Sequence, residues 1–492
     1  MAGPFSSRLL PVLLAAVGAV LAGSSTPAFE PHVFVVTVSH DGTIGGSASM
    51  TIEQPWTVAP DLGPVGVDPL VRHFFGRHYV VNREAGTIQV IDPTSFETLT
   101  TLEVGGSPQD IAVVGARQAY VSRFDSAELL QLDPVSGLVT DTIDLTFLAD
   151  SDGIPEMGTM ILDGAHLFLQ LQRLDRSNAQ AKAGSPSFMA VIDVRTNQFV
   201  DAVPGTLGIQ AIELAGRRPA YKMTLEPQNR RLYVSVPAGF FDGFEGAVEE
   251  IDLDTLQSLG FVTTEGLLQT LDLSAFTMVS PDKGFVVTHT EIVESSHVTG
   301  FSRQTGTPVS QIYTTLFGSI RNIVHDPPTS QVFLPDHTPD GTVGVLVFDA
   351  ETDKILTPTP VDVGAPPVDL VLARPVSPGQ AIDLRVDSID HTTGRLSLSY
   401  LPACAAADHN LVYGPLDQVS AYAYTGQDCG IGNLGSYDGF DPGPGSVFFL
   451  VVGTDGVAVE GSYGSASGPV ERPEDPGDPV CAFTQELSLR CD

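Results

Sequence analysis

Short runs of alternating apolar and polar residues, each closed by an aspartate, recur along the middle of the chain. Five such runs end at Asp92, Asp133, Asp193, Asp252 and Asp349, and a degenerate copy ends at Ser302. Successive copies begin 41 to 60 residues apart. Repeats of roughly 40–50 residues with four strands each are typical of β-propeller blades. An aspartate at the first position of a tight turn caps backbone N–H groups, so we assign these aspartates a structural role rather than a catalytic one.

A second phrase, which we assign to the innermost strand of each blade, occurs seven times. Its copies lie near Val67, Asp110, Thr159, Met223, Phe276, Arg321 and Val368. The last copy ends at Arg374 without outer strands, while the segment from His32 to Glu53 has two strand-like runs and no inner strand. Residues 29–374 are therefore predicted to form a seven-bladed β-propeller in which the N-terminal strands close the last blade. Such closure removes exposed sheet edges.

The first two blades carry a more specific pattern, covering about residues 76–145. Its elements are Tyr79-Val80-Val81-Asn82, Val104-Gly105-Gly106-Ser107-Pro108-Gln109-Asp110-Ile111-Ala112-Val113 and Tyr120-Val121-Ser122. This pattern resembles the YVTN-type repeat of seven-bladed propellers from bacterial surface-layer and periplasmic proteins. The resemblance implies a binding or scaffolding propeller, and it carries over no catalytic motif.

The C-terminal quarter has short alternating strands separated by Gly, Pro and Asp turns, as expected of a small β-sandwich. The sequence around Asp408–Gly414, Cys429–Gly432, Asp441–Gly445 and Glu460–Gly464 resembles a fibronectin type III-like domain. We assign residues 375–464 to this domain, with Tyr400 or Leu401 replacing the usual core tryptophan. Residues 465–492 are predicted to be an acidic, Pro-rich linker followed by a C-terminal disulfide loop.

All four cysteines (Cys404, Cys429, Cys481 and Cys491) lie in this last quarter. An even number of cysteines in an exported chain indicates disulfides. Three pairings are possible. We favour the local one, Cys404–Cys429 with Cys481–Cys491.

Length and charge narrow the function classes. The chain has 492 residues and a net charge of −35, so several domains are expected and nucleic acid is disfavoured as a partner. Residues 1–28 resemble a secretory signal, with Arg8, an apolar stretch and small residues after it. The mature chain has no apolar stretch long enough to span a membrane. We predict a secreted or periplasmic bacterial protein.

Catalytic motifs are absent: the sequence contains no CxxCH, HExxH or GxSxG. Calcium is the one candidate cofactor, because Asp150, Asp152 and Glu156 have alternating carboxylate spacing around Gly153. The segment lacks the remaining ligands of a twelve-residue calcium loop. A solvated turn is the competing interpretation.

Loop lengths point to one face of the propeller. Connections at one end of the blades are tight, whereas the long ones, 146–158, 173–187, 204–222, 236–247, 263–274, 290–297 and 335–343, all belong to the other end. Binding residues concentrate in such loops. The predicted binding patch on this face comprises Arg173, Arg176, Arg217, Arg218, Tyr221, Phe240, Phe241 and Phe244. The alternative for the three phenylalanines is that they pack beneath their own loops.

These observations favour an exported, non-catalytic propeller that binds a protein or polysaccharide of the cell envelope or the extracellular space. The alternative is a metal-dependent, lactonase-like hydrolase or lyase with its site in the central channel. The inner strands offer Asp110, Glu226, His325 and Asp369 for such a site. The enzyme hypothesis requires carboxylates that converge there within reach of one metal ion.

Overall fold

A computed structural model of the protein describes residues 30–176, 186–238, 244–290, 295–315, 320–338, 343–374, 377–464, 471–474, 481 and 483–487. The signal predicted for residues 1–28 lies outside these ranges. The helical elements among the described residues are one short helix, α1 (Glu265–Leu268), and 3₁₀ turns at Thr146–Leu148, Pro227–Asn229 and Leu416–Ala421. No helix described here is long and apolar enough to cross a membrane.

The remaining regular structure up to residue 374 is β-strand. The N-terminal strands are β1 (His32–Val38), β2 (Gly45–Thr51) and β3 (Val58–Val65). Two four-stranded sheets follow, made of β4 (Pro69–Phe74), β5 (Arg77–Asn82), β6 (Thr87–Ile91), β7 (Thr98–Glu103), β8 (Pro108–Gly115), β9 (Gln118–Arg123), β10 (Glu128–Leu132) and β11 (Val139–Asp144).

The third sheet contains β12 (Met157–Asp163), β13 (His166–Leu171), β14 (Phe188–Asp193), β15 (Gln198–Phe199) and β16 (Ile212–Glu213). The fourth and fifth sheets contain β17 (Met223–Glu226), β18 (Arg231–Val236), β19 (Ala247–Asp252), β20 (Gln257–Thr264), β21 (Leu271–Ser280), β22 (Lys283–Thr290), β23 (Ser295–Ser302) and β24 (Pro308–Thr314). The sixth sheet has β25 (Val324–Asp326), β26 (Gln331–Asp336) and β27 (Gly344–Asp349), and β28 (Pro367–Ala373) follows it.

Strand β28 shares a sheet with the N-terminal strands β1 to β3. It pairs antiparallel with β1, with Val33 opposite Leu372 and Val35 opposite Leu370, so that the seventh sheet has the order β28-β1-β2-β3. The first and last strands of the ring therefore share one sheet, which leaves no open edge between them. The fold of this region is a seven-bladed β-propeller, as the sequence predicts.

Apolar faces of adjacent blades form the core. Between the second and third blades, Leu129 and Ile143 pack with Leu167, Leu169 and Ala190, all of which are buried. The strand alternation predicted these contacts, because every second residue of a blade faces the neighbouring blade.

The recurrent aspartates close the turns that follow the third strands of their blades. Asp92 Oδ1 accepts the backbone N–H groups of Thr94 at 2.9 Å and Ser95 at 3.0 Å. Asp252 Oδ1 does the same for Thr255 at 2.8 Å. The structural role predicted for these residues is confirmed at these turns.

The connections divide between two faces of the ring. Turns such as 75–76 and 116–117, which join first to second strands, define the short-turn face. The connections 145–156, 172–187, 200–222 and 237–246 emerge at the opposite end and define the insertion face. Inner strands run from the insertion face towards the short-turn face, because the blade-to-blade connections lie on the insertion face.

The C-terminal region is a sandwich of two sheets. One contains β29 (Ile382–Ile389), β30 (Leu396–Leu401) and β33 (Ser436–Phe440). The other contains β31 (Asp408–Pro415), β32 (Gly426–Asp428), β34 (Val447–Thr454), β35 (Val459–Glu460) and β36 (Thr484–Gln485). Tyr400 is only 5% exposed and packs with Leu411 and Phe440. The fibronectin type III-like assignment and the boundaries after residues 374 and 464 stay predictions.

The predicted cysteine pairing is wrong. Cys429 is bonded to Cys481, with their Cα atoms 5.6 Å apart. Cys404 is also disulfide-bonded, and Cys491 lies outside the described residues. The physical reason is that β36 pairs with β35, which returns the end of the chain to the sandwich and brings Cys481 beside Cys429.

The segment before Cys481 also contacts the sandwich where it is described. Tyr463 N donates to Glu471 Oε1 at 2.6 Å, and Arg472 Nη1 donates to the Tyr463 carbonyl at 2.8 Å. Residues 471–474 are therefore bound to the domain, in contrast to the solvated linker expected for this stretch.

Candidate functional site

Two of the three candidate calcium ligands, Asp152 and Glu156, lie beside Arg176. Glu156 is fully buried, and its two carboxylate oxygens accept hydrogen bonds from Arg176 Nε at 2.6 Å and from Leu174 N at 2.8 Å. Asp152 Oδ2 lies 3.8 Å from the same Arg176 Nε. Burial is the main cause that raises the pKa of Glu156, and Arg176 opposes it. Among the described residues no group of three or more His, Cys, Asp or Glu side chains is placed to hold a metal ion.

Two arginines of the predicted patch fasten an insertion loop to the propeller. Arg176 also pairs with Asp125 at 3.0 Å. Arg173 Nη1 donates to the Pro186 carbonyl at 2.5 Å, and its guanidinium lies 4.2 Å from the centre of the Phe188 ring. Both guanidinium groups are thus engaged in contacts within the molecule, at the start of the 172–187 connection.

The remaining members of the patch lie where the third and fourth blades meet. Arg217 is exposed, its carbonyl accepts from Ala238 N at 3.1 Å, and its guanidinium has no hydrogen bond or ion pair among the described residues. Arg218 is half-buried, and its N–H donates to Ser187 Oγ at 2.8 Å. Phe244, at the far end of the 237–246 connection, is 55% exposed. Phe240 and Phe241 lie outside the described residues.

Tyr221 lies near the end of the 200–222 connection, two residues before the inner strand β17. Its carbonyl accepts from Thr159 Oγ1 of the third blade at 2.5 Å. Burial is the main cause that raises the pKa of the Tyr221 hydroxyl, while the nearby Arg218, Arg321 and Arg83 guanidiniums act in the opposite direction. The guanidiniums of these three arginines and the Asp272 carboxylate thus act on one phenol at the insertion-face end of the propeller.

Four residues of this face have a left-handed backbone, a conformation that also occurs in turns of the short-turn face. Glu156, Arg173, Arg218 and Tyr221 all have positive φ angles between 45° and 64°. Non-glycine residues rarely adopt this conformation, and such strain concentrates at functional sites.

The four channel candidates of the enzyme hypothesis do not come together. Asp110 and Asp369 lie at the insertion-face end of their inner strands, whereas Glu226 ends β17 at the short-turn face. Asp110 Oδ1 pairs with Arg72 Nε at 2.9 Å, and Glu226 Oε2 accepts from Tyr233 Oη at 2.9 Å. His325 Nε2 is buried without a hydrogen-bond partner.

The buried carboxylates of the inner strands join neighbouring blades. Asp110 Oδ2 accepts from Met160 N of the third blade at 2.9 Å, and Asp369 Oδ2 accepts from Val71 N of the first blade at 2.8 Å. Burial raises the pKa of Asp110 despite the pairing with Arg72. Their role in this geometry is to bind blade to blade.

The sequence patterns missed two cations of the channel, Lys222 and Arg321. Lys222 immediately precedes β17 and is half-buried, and Arg321 precedes β25 and is exposed. Neither side chain has a hydrogen bond or ion pair within the described part of the chain. The available signal for Lys222 was its position just before the inner strand, where several other blades carry a polar residue (Asp110, Asn322 and Asp369).

A chain of three histidines between the seventh and first blades was also missed. His32 Nε2 lies 3.0 Å from His78 Nε2, and His73 Nδ1 lies 3.2 Å from His78 Nδ1. The His78 ring stacks on Phe34 with 4.2 Å between ring centres. Burial is the main cause that lowers the pKa of all three, to about 3 for His73. These rings are neutral structural groups at ordinary pH.

Comparisons with known proteins give structural relatives only. No protein-family model matches the sequence, and no curated protein matches it. A protein of Bacteroides fragilis, provisionally named a 6-phosphogluconolactonase, superposes with a TM-score of 0.51 at 12% identity, over 70% of this chain and 98% of that one. The likeness shows the fold alone.

Two further structures are less similar. Hydrazine synthase of Kuenenia stuttgartiensis matches with a TM-score of 0.47 at 13% identity, over 63% of this chain and 97% of its own. The dihydro-heme d1 dehydrogenase NirN matches with a TM-score of 0.42 at 14% identity, over 82% of this chain and 75% of its own.

Proposed function

We propose that the protein is an exported, non-catalytic binding protein whose insertion face holds a protein or polysaccharide of the cell envelope or the extracellular space. The observation that carries this proposal is the exposed Arg217 guanidinium, which has no acidic partner among the described residues of a chain with 59 Asp and Glu against 24 Lys and Arg. Arginine is enriched at the energetic centres of binding surfaces.

The surroundings of Arg217 support a surface of this kind. Phe244 offers an exposed aromatic ring on an adjoining connection. The strained backbone at Arg218 and Tyr221 is held by Ser187 and Thr159, so this part of the surface is fixed in place before any ligand arrives. A prearranged surface loses less conformational entropy on binding. The unpaired positive charge favours an acidic partner.

The test is capture of envelope proteins and polysaccharides by the immobilised mature chain. Arg217→Glu combined with Arg218→Glu reverses the local charge and should abolish capture. The matched control is Arg117→Glu, because Arg117 is an exposed arginine on the short-turn face and pairs there with Asp133 at 2.8 Å. Equal capture by the double variant and the wild type would refute the proposal.

The alternative function is hydrolysis of a lactone in the channel. Its support is the provisional name of the Bacteroides fragilis neighbour. The engaged states of Asp110 and Glu226 weigh against it. Hydrolysis of 6-phosphogluconolactone by the purified chain, lost on chelation, would establish this alternative in place of the binding role.

A further inference from the structure

Lys222 occupies a repeated position of the inner strands. Val71 in β4, Ile111 in β8 and Met223 in β17 each lie opposite the valine of a Tyr-Val pair on the second strand of the blade. The residues just before them are Leu70, Asp110 and Lys222. These three residues therefore hold equivalent places in the first, second and fourth blades, at the insertion-face end of the channel.

Polar residues at this place normally link one blade to the next. Asp110 accepts a backbone N–H from the third blade, and Asp369 accepts one from the first. Asn322, in the sixth blade, donates to the Leu370 carbonyl of the seventh at 3.1 Å. Lysine can only donate. Lys222 has no such link, and its ammonium has neither a hydrogen bond nor an ion pair within the described residues.

The nearby carboxylates are committed elsewhere. Asp110 is paired with Arg72 and accepts from two backbone N–H groups. Asp369 accepts from Val71 N and Leu370 N and from the Asn322 amide. The charged groups that act on Lys222 are Arg72 on β4, which repels it, and Asp369 on β28, which attracts it.

Little negative charge compensates the Lys222 ammonium. Burial is the main cause that lowers the pKa of Lys222 to about 8, Arg72 acts in the same direction, and Asp369 opposes both. A desolvated charge without a bonded partner is costly, and an anion within hydrogen-bonding distance would remove that cost.

Charged groups of both signs lie near Tyr221, the residue before Lys222. Burial is the main cause that raises the pKa of the Tyr221 hydroxyl; Asp272 acts in the same direction, and the guanidiniums of Arg218, Arg321 and Arg83 oppose it. Arg321 also lies near His289 and His337, whose pKa values are lowered chiefly by burial and further by this guanidinium. Cations therefore outnumber carboxylates around Tyr221, in a protein of net charge −35.

We propose that the insertion-face end of the channel binds a small anion, a carboxylate or phosphate group, through the Lys222 ammonium. This inference does not depend on the macromolecular ligand proposed above, because it rests on Lys222 and not on Arg217. A free small molecule or an anionic group of a larger ligand would meet the same ammonium.

Lysine-specific NMR tests the site directly, since the full sequence holds only four lysines, Lys182, Lys222, Lys283 and Lys354. In chain labelled with ε-¹⁵N-lysine, the Lys222 signal is assigned by its loss in Lys222→Met. Phosphate and acetate are each titrated with chloride held constant. Either anion should raise the midpoint of the Lys222 titration, and binding should weaken above pH 8 as Lys222 loses its proton.

Calorimetry supplies the second readout. Lys222→Met should weaken phosphate binding about 10- to 100-fold, the range expected for a lost hydrogen bond to a charged group. Lys222→Arg should restore part of the affinity. Lys283→Met is the control, because Lys283 pairs with Asp353 on the short-turn face and its loss should leave binding unchanged.

The proposal is overturned if neither anion moves the Lys222 titration, or if Lys222→Met binds phosphate as tightly as the wild type. Stronger response to phosphate or to acetate distinguishes the two anion classes. The melting temperature confirms folding, since replacing the half-buried Lys222 by Met removes a partly desolvated charge without a hydrogen bond and should not destabilise the chain. The single variant Arg217→Glu should keep the Lys222 response, which separates this test from that of the binding surface.

Discussion

Acid should destabilise the propeller through the histidine chain at the junction of the seventh and first blades. His32 Nδ1 lies 2.8 Å from the Glu30 carbonyl and therefore donates to it, so His32 Nε2 must accept from His78 Nε2. His78 Nδ1 then accepts from His73 Nδ1. Each neutral imidazole has one N–H donor and one acceptor nitrogen, so this assignment gives each of the three hydrogen bonds one donor and one acceptor. Adding a proton to His78 would place two donors against each other.

The sign of the pH effect follows from the lowered pKa values. A histidine with a lowered folded-state pKa binds its proton more readily in the unfolded chain, so its stability contribution is present above pH 6.5 and is lost as the pH falls. For His73, with a pKa of about 3 in the fold, the free energy of unfolding should drop by about 2 kcal/mol between pH 7 and pH 5. His78 acts in the same direction.

The assay is urea unfolding at pH 7, 6 and 5, followed by circular dichroism and by the fluorescence of Trp56, the one tryptophan of the chain. His78→Phe keeps an aromatic ring stacked on Phe34 but cannot titrate, so its unfolding free energy should fall less between pH 7 and pH 5. His391→Gln, at an exposed turn, is the control and should match the wild type. Identical pH slopes for His78→Phe and the wild type would refute the reasoning.

Three further outcomes are expected. Replacing both Cys429 and Cys481 by Ser removes a crosslink between positions 52 residues apart. Calorimetry should show that the unfolding free energy of the C-terminal domain falls by about 4 kcal/mol. An unchanged transition would contradict the assigned pairing. Asp369→Ala removes the acceptor of the Val71 and Leu370 backbone N–H groups. The free energy of unfolding of the propeller in denaturant should therefore fall by about 3 kcal/mol. A loss below about 1 kcal/mol would argue that this carboxylate does not stabilise the contact between blades. Burial raises the pKa of Glu265 to about 7, so its own contribution to stability is present below pH 4.5 and is lost as the pH rises through 7. This contribution opposes that of the histidines, so the unfolding free energy of Glu265→Gln should rise more steeply between pH 5 and pH 7 than that of the wild type, and equal slopes would count against it.

The blades were predictable because their signals are local. Each Tyr-Val pair and each strand that ends in Asp lies within a few residues of its partner, and Asp92 caps its own turn. The contact of β28 with β1 followed from counting strands in the last blade, since an inner strand without neighbours must find them elsewhere in the ring.

The site was less accessible to sequence reasoning because its contacts are long-range. Lys222 meets Arg72 and Asp369 only after the ring closes, and nothing beside it in the sequence shows that proximity. Arg173 and Arg176 look like surface cations in sequence, but Arg176 is neutralised by the buried Glu156. The cysteine pairing depended on β36, a strand of two residues with no alternation to identify it.

The binding role is the central claim, and charge reversal on the insertion face tests it most directly. Envelope proteins and polysaccharides captured by the wild-type mature chain would be compared with those captured by the Arg217→Glu, Arg218→Glu variant and by the Arg117→Glu control. If the insertion face carries the binding site, the control captures the same components as the wild type and the double variant loses them. Capture by the folded double variant at wild-type levels would contradict it.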